Sequence, residues 1–364
     1  MRSTAAGSAA TSARTVARYR VVQWATGAIG RSVICGLIDR PEFELAGVRV
    51  YDRAKAGVDA GTLAGRAPIG VTATADPAEI MAMDADCVVY APLIAQAVGG
   101  DPRTDLETVC DLLASGKNVI SLAGMIYPYA HGRRFTDQLT RACRAGETSV
   151  LGTGVNPGFT TELLPLVLSG VSRRVDHVYV RECADYSGHP SRLLVHEMGG
   201  LGKTEEDYLR ALPAYRAMMR TLFTESLHLI AAGLDVALDQ IDVSHQYLLA
   251  GEDFQILSGT IAKGSVAAGR WTFSGLVDGR PLVMIECVQK SDATRITDWE
   301  APGYAVRVQG HPSITLTADE DWVSNGIAAA AAHAVNAVPS ICDAAPGIHT
   351  FLDLPLVTGR TARG

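Results

Sequence analysis

The chain has 364 residues, enough for about two domains. Hydrophobic residues make up 48% and charged residues 20%, the balance of a folded chain, and this excludes wholesale disorder. The formal charge of −7, with no concentrated basic block, excludes a phosphate-gripping nucleic-acid partner; mean hydropathy is +0.14, yet no apolar run approaches the ~18–20 residues that span a bilayer.

Residues 1–18 are rich in Ala, Ser, Thr and Arg and carry no acid. That composition suits an organelle transit peptide or a disordered tail. It is taken as a tail, with folding expected to begin at Tyr19. Tyr19 to Trp24 is a short strand that runs into a glycine turn, and Ser32 to Asp39 continues with helical spacing. Glu44 to Tyr51 is a second strand with Asp52 at its end, and Ile69 to Thr74 a third. Asp76-Pro77 opens a short helix, since aspartate caps and proline suits the first turn. Asp86 to Ala91 is a fourth strand that stops at Pro92. Pro102 to Ser115 is an amphipathic helix ended by Gly116. Asn118 to Ser121 is a fifth strand, Gly132 to Ala145 a helix, and Thr148 to Gly152 a sixth strand. This rhythm predicts βαβ units on a doubly wound parallel sheet, a Rossmann-type α/β domain over residues 19–155.

The rhythm then changes. Val175 to Ala184 reads as a strand and Thr204 to Gly233 as a long helix. Strands follow without helices between them: Ile241 to Leu249, Phe254 to Ala262, Arg270 to Val277, Pro281 to Gln289, Ala305 to Val308 and Ser313 to Leu316. Successive strands predict a largely antiparallel sheet, hence an α+β substrate or dimerisation domain over residues 156–320. Asp321 to Val338 is a last helix ending near Pro339. Residues 321–364 are expected to pack back on the first domain.

Seven cysteines, at Cys35, Cys87, Cys110, Cys143, Cys183, Cys287 and Cys342, form no C-x-x-C pair. They read as reduced, mostly buried thiols of a cytoplasmic protein, with no structural zinc.

The first βα turn carries the strongest chemical signal. Ala25-Thr26-Gly27-Ala28-Ile29-Gly30 follows the first strand and opens a helix. A dinucleotide needs a sharp turn there, a backbone that approaches the pyrophosphate, and helix N–H groups that hold it. Ala25 stands where the first glycine belongs. Asp52 closes the next strand and suits the ribose hydroxyls of NAD; Arg53 beside it suits the 2′-phosphate of NADP. The choice between the two cofactors stays open. Ala91, Pro92, Gly124 and Asn156, at later strand ends, complete the expected cofactor site.

From Val21 to Gly30 the sequence resembles the dihydrodipicolinate reductase-like oxidoreductases that include 2,4-diaminopentanoate dehydrogenase and the native amine dehydrogenases. The resemblance continues at Asp59 to Gly65, Ser115 to Val119, Gly152 to Phe159, Val335 to Pro339 and Ala345 to Ile348. It implies a Rossmann domain, an α+β substrate domain, a cleft between them, a homodimer, and NAD(P)-dependent hydride transfer to or from an imine or carbonyl carbon. It also implies an active-site carboxylate, with glutamate after the fifth strand in many relatives. Here that loop reads Ala123-Gly124-Met125-Ile126-Tyr127-Pro128-Tyr129, and methionine takes the place of the acid. Methionine moves no proton.

Candidates for proton handling are therefore Tyr127 first and His196 second. Tyr129 and His131 lie in the same loop as Tyr127, and Glu197 beside His196 is a substitute carboxylate. Two other readings stay open: a non-catalytic NAD(P)-binding relative acting as a sensor or complex subunit, and an alcohol or aldehyde oxidoreductase that needs no ammonia. No nucleophile elbow and no P-loop occur: Gly199 to Thr204 ends in Gly-Lys-Thr but has Glu197 where the first glycine belongs.

Overall fold

The computed structural model describes residues 18–95, 100–101 and 103–361. The tail expected over 1–18 lies outside the described residues except for Arg18, as does Pro102.

The first half alternates strands and helices. It runs β1 (Tyr19–Trp24), α1 (Ala28–Ile38), β2 (Phe43–Arg49), α2 (Ala60–Leu63), β3 (Ala73–Thr74), α3 (Pro77–Ala82), β4 (Cys87–Tyr90), α4 (Thr104–Ala114), β5 (Asn118–Ser121), α5 (Arg133–Gly146) and β6 (Ser149–Gly152). The second half holds α6 (Leu164–Ser169), β7 (Arg174–Asp185), α7 (Glu205–Gly233), β8 (Gln240–Leu249), β9 (Phe254–Ile256), β10 (Gly259–Ile261), β11 (Val266–Val277), β12 (Arg280–Lys290), β13 (Gly303–His311) and β14 (Ile314–Ala318). It closes with α8 (Glu320–Ser324), α9 (Gly326–Cys342) and β15 (Gly347–His349).

The first sheet has the order β15-β6-β5-β4-β1-β2-β3, and every pairing in it is parallel. The chain reverses direction of travel across this sheet between β1 and β4, the crevice where doubly wound sheets bind ligands. Both faces are covered. Val21 points to α1 and α9, meeting Val33, Ile34, Val335 and Val338. Val22 points the other way, to Leu112, Leu113 and Leu139 of α4 and α5. That is why the strands read as continuous apolar runs.

The second sheet has the order β14-β13-β7-β12-β11-β8. Only β7 and β12 pair parallel; the remaining pairs are antiparallel. Helix α7 lies on one face, where Phe223, Leu227 and Ile230 meet Phe273, Val283 and Ile285. Each such buried side chain contributes about 1.5–3 kcal/mol. Thr204 caps α7 by accepting from Asp207 N, and Glu205, Glu206 and Asp207 favour its positive end.

Four local expectations need correction. The third strand is only Ala73–Thr74, because the Ile69 and Gly70 amides bond to the Asp59 carboxylate and leave the ladder. The run from Phe254 to Ala262 is a hairpin of β9 and β10, turned between Ile256 and Gly259, whose φ of 153° suits glycine. The last helix breaks at Asn325 into α8 and α9, and α9 continues through Pro339 to Cys342. Strand β15 was not foreseen; three residues give too short a pattern to read.

Candidate functional site

The glycine turn is built from beneath. Gln23 is fully buried and its Nε2 donates to the carbonyls of Trp24 and Ala25, at 2.9 and 2.8 Å. Ala25 adopts φ 78°, the left-handed region where the usual glycine is at home. Gly30 is obligatory: a Cβ there would stand 2.1 Å from the Ala25 carbonyl oxygen. Gly27 faces open space, with no atom within 4 Å of where its Cβ would be. Helix α1 has no side-chain cap and no acid in its first turn. Thr26 is buried beside the turn, Ala28 and Ile29 begin the helix, and the first-turn N–H groups face an uncapped end suited to an anion.

Next to this turn, Asp52 and Arg53 are exposed at the end of β2. One Asp52 oxygen accepts from Ala54 N at 2.9 Å, which fixes the carboxylate at the rim. The Arg49 guanidinium sits 5.5 Å from the Trp24 ring and 4.9 Å from the Tyr51 ring. Its Nε and one Nη are buried without a hydrogen-bond partner. An uncapped helix start, an open glycine and a partnerless guanidinium together fit a dinucleotide's pyrophosphate and adenosine end.

The loop after β4 is held from α4. Tyr90 donates to Asp105 at 2.7 Å, and the second Asp105 oxygen accepts Ala95 N at 2.8 Å. Both residues are buried, and the pair tethers the stretch that contains Ala91 and Pro92. Burial and the Asp105 charge push the Tyr90 phenol far above its ordinary range.

The loop after β5 is held from α7, and here the structure supplies what the sequence lacked. Glu225, 4% exposed, accepts from Met125 N at 3.3 Å and from Tyr127 N at 2.8 Å. Its Oε1 also lies 2.5 Å from Nε2 of His131. A carboxylate accepts, so Nε2 carries the proton and Nδ1 is the basic nitrogen. Gly124, at φ 87°, lets the loop turn under this carboxylate. A cavity of about 300 Å³ opens here, bordered by Gly124, Met125, His131, Asp105 and Arg103. Met218, Thr221, Leu222 and Glu225 border it from α7, recurring as one helical stripe.

A second polar cluster lies at the crossing into the second domain. Asn156 donates to Glu182 and accepts from Thr161. Glu182 also accepts from Tyr304 at 2.7 Å, and burial raises its carboxyl above the ordinary range. Glu162, fully buried, accepts from Gly158 N at 2.6 Å, while its other oxygen has no partner. Burial first, and then the Glu225 charge, push the Glu162 carboxyl up to about 7; hydrogen bonds oppose this without cancelling it.

No hydrogen bond or ring contact joins the expected proton handlers Tyr127 and His196. Tyr127 lies in the β5 loop with its ring 5.3 Å from Tyr129, and its backbone meets Glu225. His196 belongs to the segment Leu193–Met198, where Nδ1 donates to Leu201 O at 2.7 Å and Nε2 meets Ser258 Oγ at 3.1 Å. Both of its nitrogens are engaged. Glu197 is exposed and paired with Lys203 at 2.7 Å. Glu225 escaped the sequence reading. Its one signal was an acid among the apolar residues Leu222, Phe223 and Leu227, and that signal does not say which loop the acid meets. Among the described residues, no three His, Cys, Asp or Glu side chains converge to hold a metal ion, and no helix is long and apolar enough to cross a membrane.

Residues 159–363 match the family described as the 2,4-diaminopentanoate dehydrogenase C-terminal domain. An amine dehydrogenase of Streptomyces virginiae is 30% identical over 365 residues, covering 94% of this chain and 98% of the relative. The 2,4-diaminopentanoate dehydrogenase of Acetoanaerobium sticklandii is 30% identical over 241 residues, 66% of this chain and 67% of the relative. The structure of an amine dehydrogenase from Mycobacterium smegmatis has the same fold, with a TM-score of 0.79 at 20% identity over 94% of this chain and 97% of that one. The chain therefore belongs to the family of 2,4-diaminopentanoate dehydrogenase and the amine dehydrogenases and is an NAD(P)-dependent oxidoreductase.

Proposed function

We propose that the chain interconverts a small carbonyl compound plus ammonia with the corresponding amine, and that His131 with Glu225 handles the proton. The observation that carries this reading is the placement of Glu225: it brings a buried carboxylate from α7 to the loop where Met125 has removed one.

When bound, the nicotinamide supplies or removes a hydride at the reacting carbon. In the reducing direction the C=N π pair moves onto nitrogen, which must gain a proton. His131 meets that need. Glu225 orients the ring by accepting from Nε2, so that Nδ1 is the nitrogen that passes the proton on, and the Met125 and Tyr127 amides hold Glu225 in place. Tyr127 stands in the same loop, its amide donating to Glu225 and its ring against Tyr129. His196 stands in the second domain as a support for the Leu193–Met198 segment.

For the cofactor, Ala25, Thr26, Gly27, Ala28, Ile29 and Gly30 would hold the pyrophosphate. Asp52 would meet the ribose hydroxyls, and Arg53 with Arg49 a 2′-phosphate. Ala91 and Pro92 would line the adenosine side, and Gly124 the nicotinamide side. Asn156 holds the domain crossing through Glu182 and Thr161. Both NAD and NADP are admitted by this set. The same reading includes a homodimer, supported by the family, and a cytoplasmic location, supported by seven cysteines that all stand as free thiols.

The test is calorimetry with NAD, NADH, NADP and NADPH, followed by NAD(P)H oxidation on a ketone panel with and without ammonium. Binding plus ammonium-dependent turnover is expected. Turnover without ammonium would replace the reading with carbonyl reduction. Binding without any turnover would make the chain a non-catalytic relative.

A further inference from the structure

A second cavity, of about 180 Å³, adjoins the first; the two share Ile94, Met218 and Leu222. Its walls come from different elements: Tyr208, Tyr215 and Met219 from α7, Trp271 from β11, and Met198 from the segment before α7. None of its described lining residues is charged. The polar ends of its aromatic walls are tied up elsewhere. Tyr208 Oη meets His245 Nε2 at 2.7 Å, and Tyr215 donates to Glu197 O at 2.7 Å. The His245 ring lies 3.9 Å from the Trp271 ring, stacked on it, and so backs that wall. What remains for a guest is mostly ring surface and methionine sulfur, a soft lining that adapts to aromatic groups, with Gln289 and Tyr186 as its further polar members.

We propose that the substrates of this enzyme carry an uncharged aryl group, or an apolar group of equal size, a few carbons from the reacting carbon, seated in this second cavity. This rests on the reading of the Glu225–His131 cavity as the reacting centre. The size is adequate: an apolar cavity of about 150 Å³ in another protein accepts benzene. The chemistry is selective as well. A substrate with a remote carboxylate would put an anion in a chamber whose described lining offers no cation, and an unpaired buried charge is costly.

The test compares 2-butanone, 4-phenyl-2-butanone and levulinate in the ammonium-dependent assay, using wild type and two filled variants, Met219→Trp and Met198→Phe. Wild type is expected to prefer 4-phenyl-2-butanone over 2-butanone by about tenfold or more in kcat/KM. Levulinate is expected to be the poorest of the three. The phenyl-to-methyl ratio is expected to fall toward one in either filled variant. Calorimetric binding of 4-phenyl-2-butanone, which needs no turnover, should weaken about tenfold in the filled variants. A wild-type ratio near one, a preference for levulinate, or a ratio and affinity untouched in both folded variants would overturn the proposal. Lost ammonium dependence with the binding result intact would count against the reaction and leave the cavity assignment standing.

Discussion

Oε1 of Glu225 and Nε2 of His131 lie 2.5 Å apart although 94 positions separate them in the chain. The same carboxylate receives the Met125 and Tyr127 amides. One acid thus shapes the loop and orients the imidazole. Glu225→Gln keeps the size and removes the charge, although its amide nitrogen must face one of the donors that the carboxylate accepts, so its thermal midpoint is measured beside its kinetics. Turnover should fall by about 10²–10⁴, the usual contribution of a placed acid–base group, with the dinucleotide dissociation constant little changed. Steady-state kinetics beside calorimetry measures both; a variant within twofold of wild-type kcat would remove Glu225 from the chemistry.

Ala25 holds a left-handed φ of 78°, which costs an L-residue about 1–2 kcal/mol. Ala25→Gly relieves that strain but adds about 0.5–1 kcal/mol of chain entropy. The thermal midpoint should stay level or rise. Gly30→Ala should do the opposite, because its Cβ meets the Ala25 carbonyl at 2.1 Å. It should abolish dinucleotide binding or lower the midpoint by several degrees. A destabilised Ala25→Gly would contradict the turn described.

The Glu162 carboxyl titrates at about 7 in the folded protein, against 4.5 ordinarily, chiefly because burial penalises its anion. The folded state therefore binds this proton more tightly than the unfolded chain. The resulting stability is full below the ordinary value and is lost as pH rises through about 7. The loss corresponds to about 3 kcal/mol across that window. Denaturant titrations from pH 5 to 8.5 should show it in wild type and a flatter profile in Glu162→Gln. Parallel profiles would mean that Glu162 does not titrate in this range.

Tyr90→Phe leaves a buried Asp105 oxygen without its donor, a cost of about 1–3 kcal/mol. The same pair tethers Ala95 in the β4 loop. Hydrogen exchange should speed in residues 91–95, and KM for the dinucleotide should rise. Unchanged exchange there would show that the loop is held by other contacts.

Much of the fold is legible in the sequence. The parallel sheet announced itself through apolar runs at β1, β4, β5 and β6, because strands buried on both faces need apolar residues at every position. Helix α7 carried its cap at Thr204 and acids in its first turn. The β9–β10 hairpin and the break at Asn325 were missed, because each depends on one or two residues within a pattern that otherwise continues. Strand β15 forms only because β6 offers it an edge.

The one-dimensional pattern of the chain carries the class of fold, the glycine turn with Gly27 and Gly30, and the absence of an acid at Met125. These are local facts, written in neighbouring residues and their spacing. The tertiary structure alone decided that Glu225 meets His131, that His196 is engaged with Leu201 and Ser258, and that Trp271 and Tyr208 wall one cavity. Such juxtapositions arise when α7 packs on the second sheet and reaches the β5 loop of the first domain. No periodicity along one segment records which distant side chain will fill the space opposite.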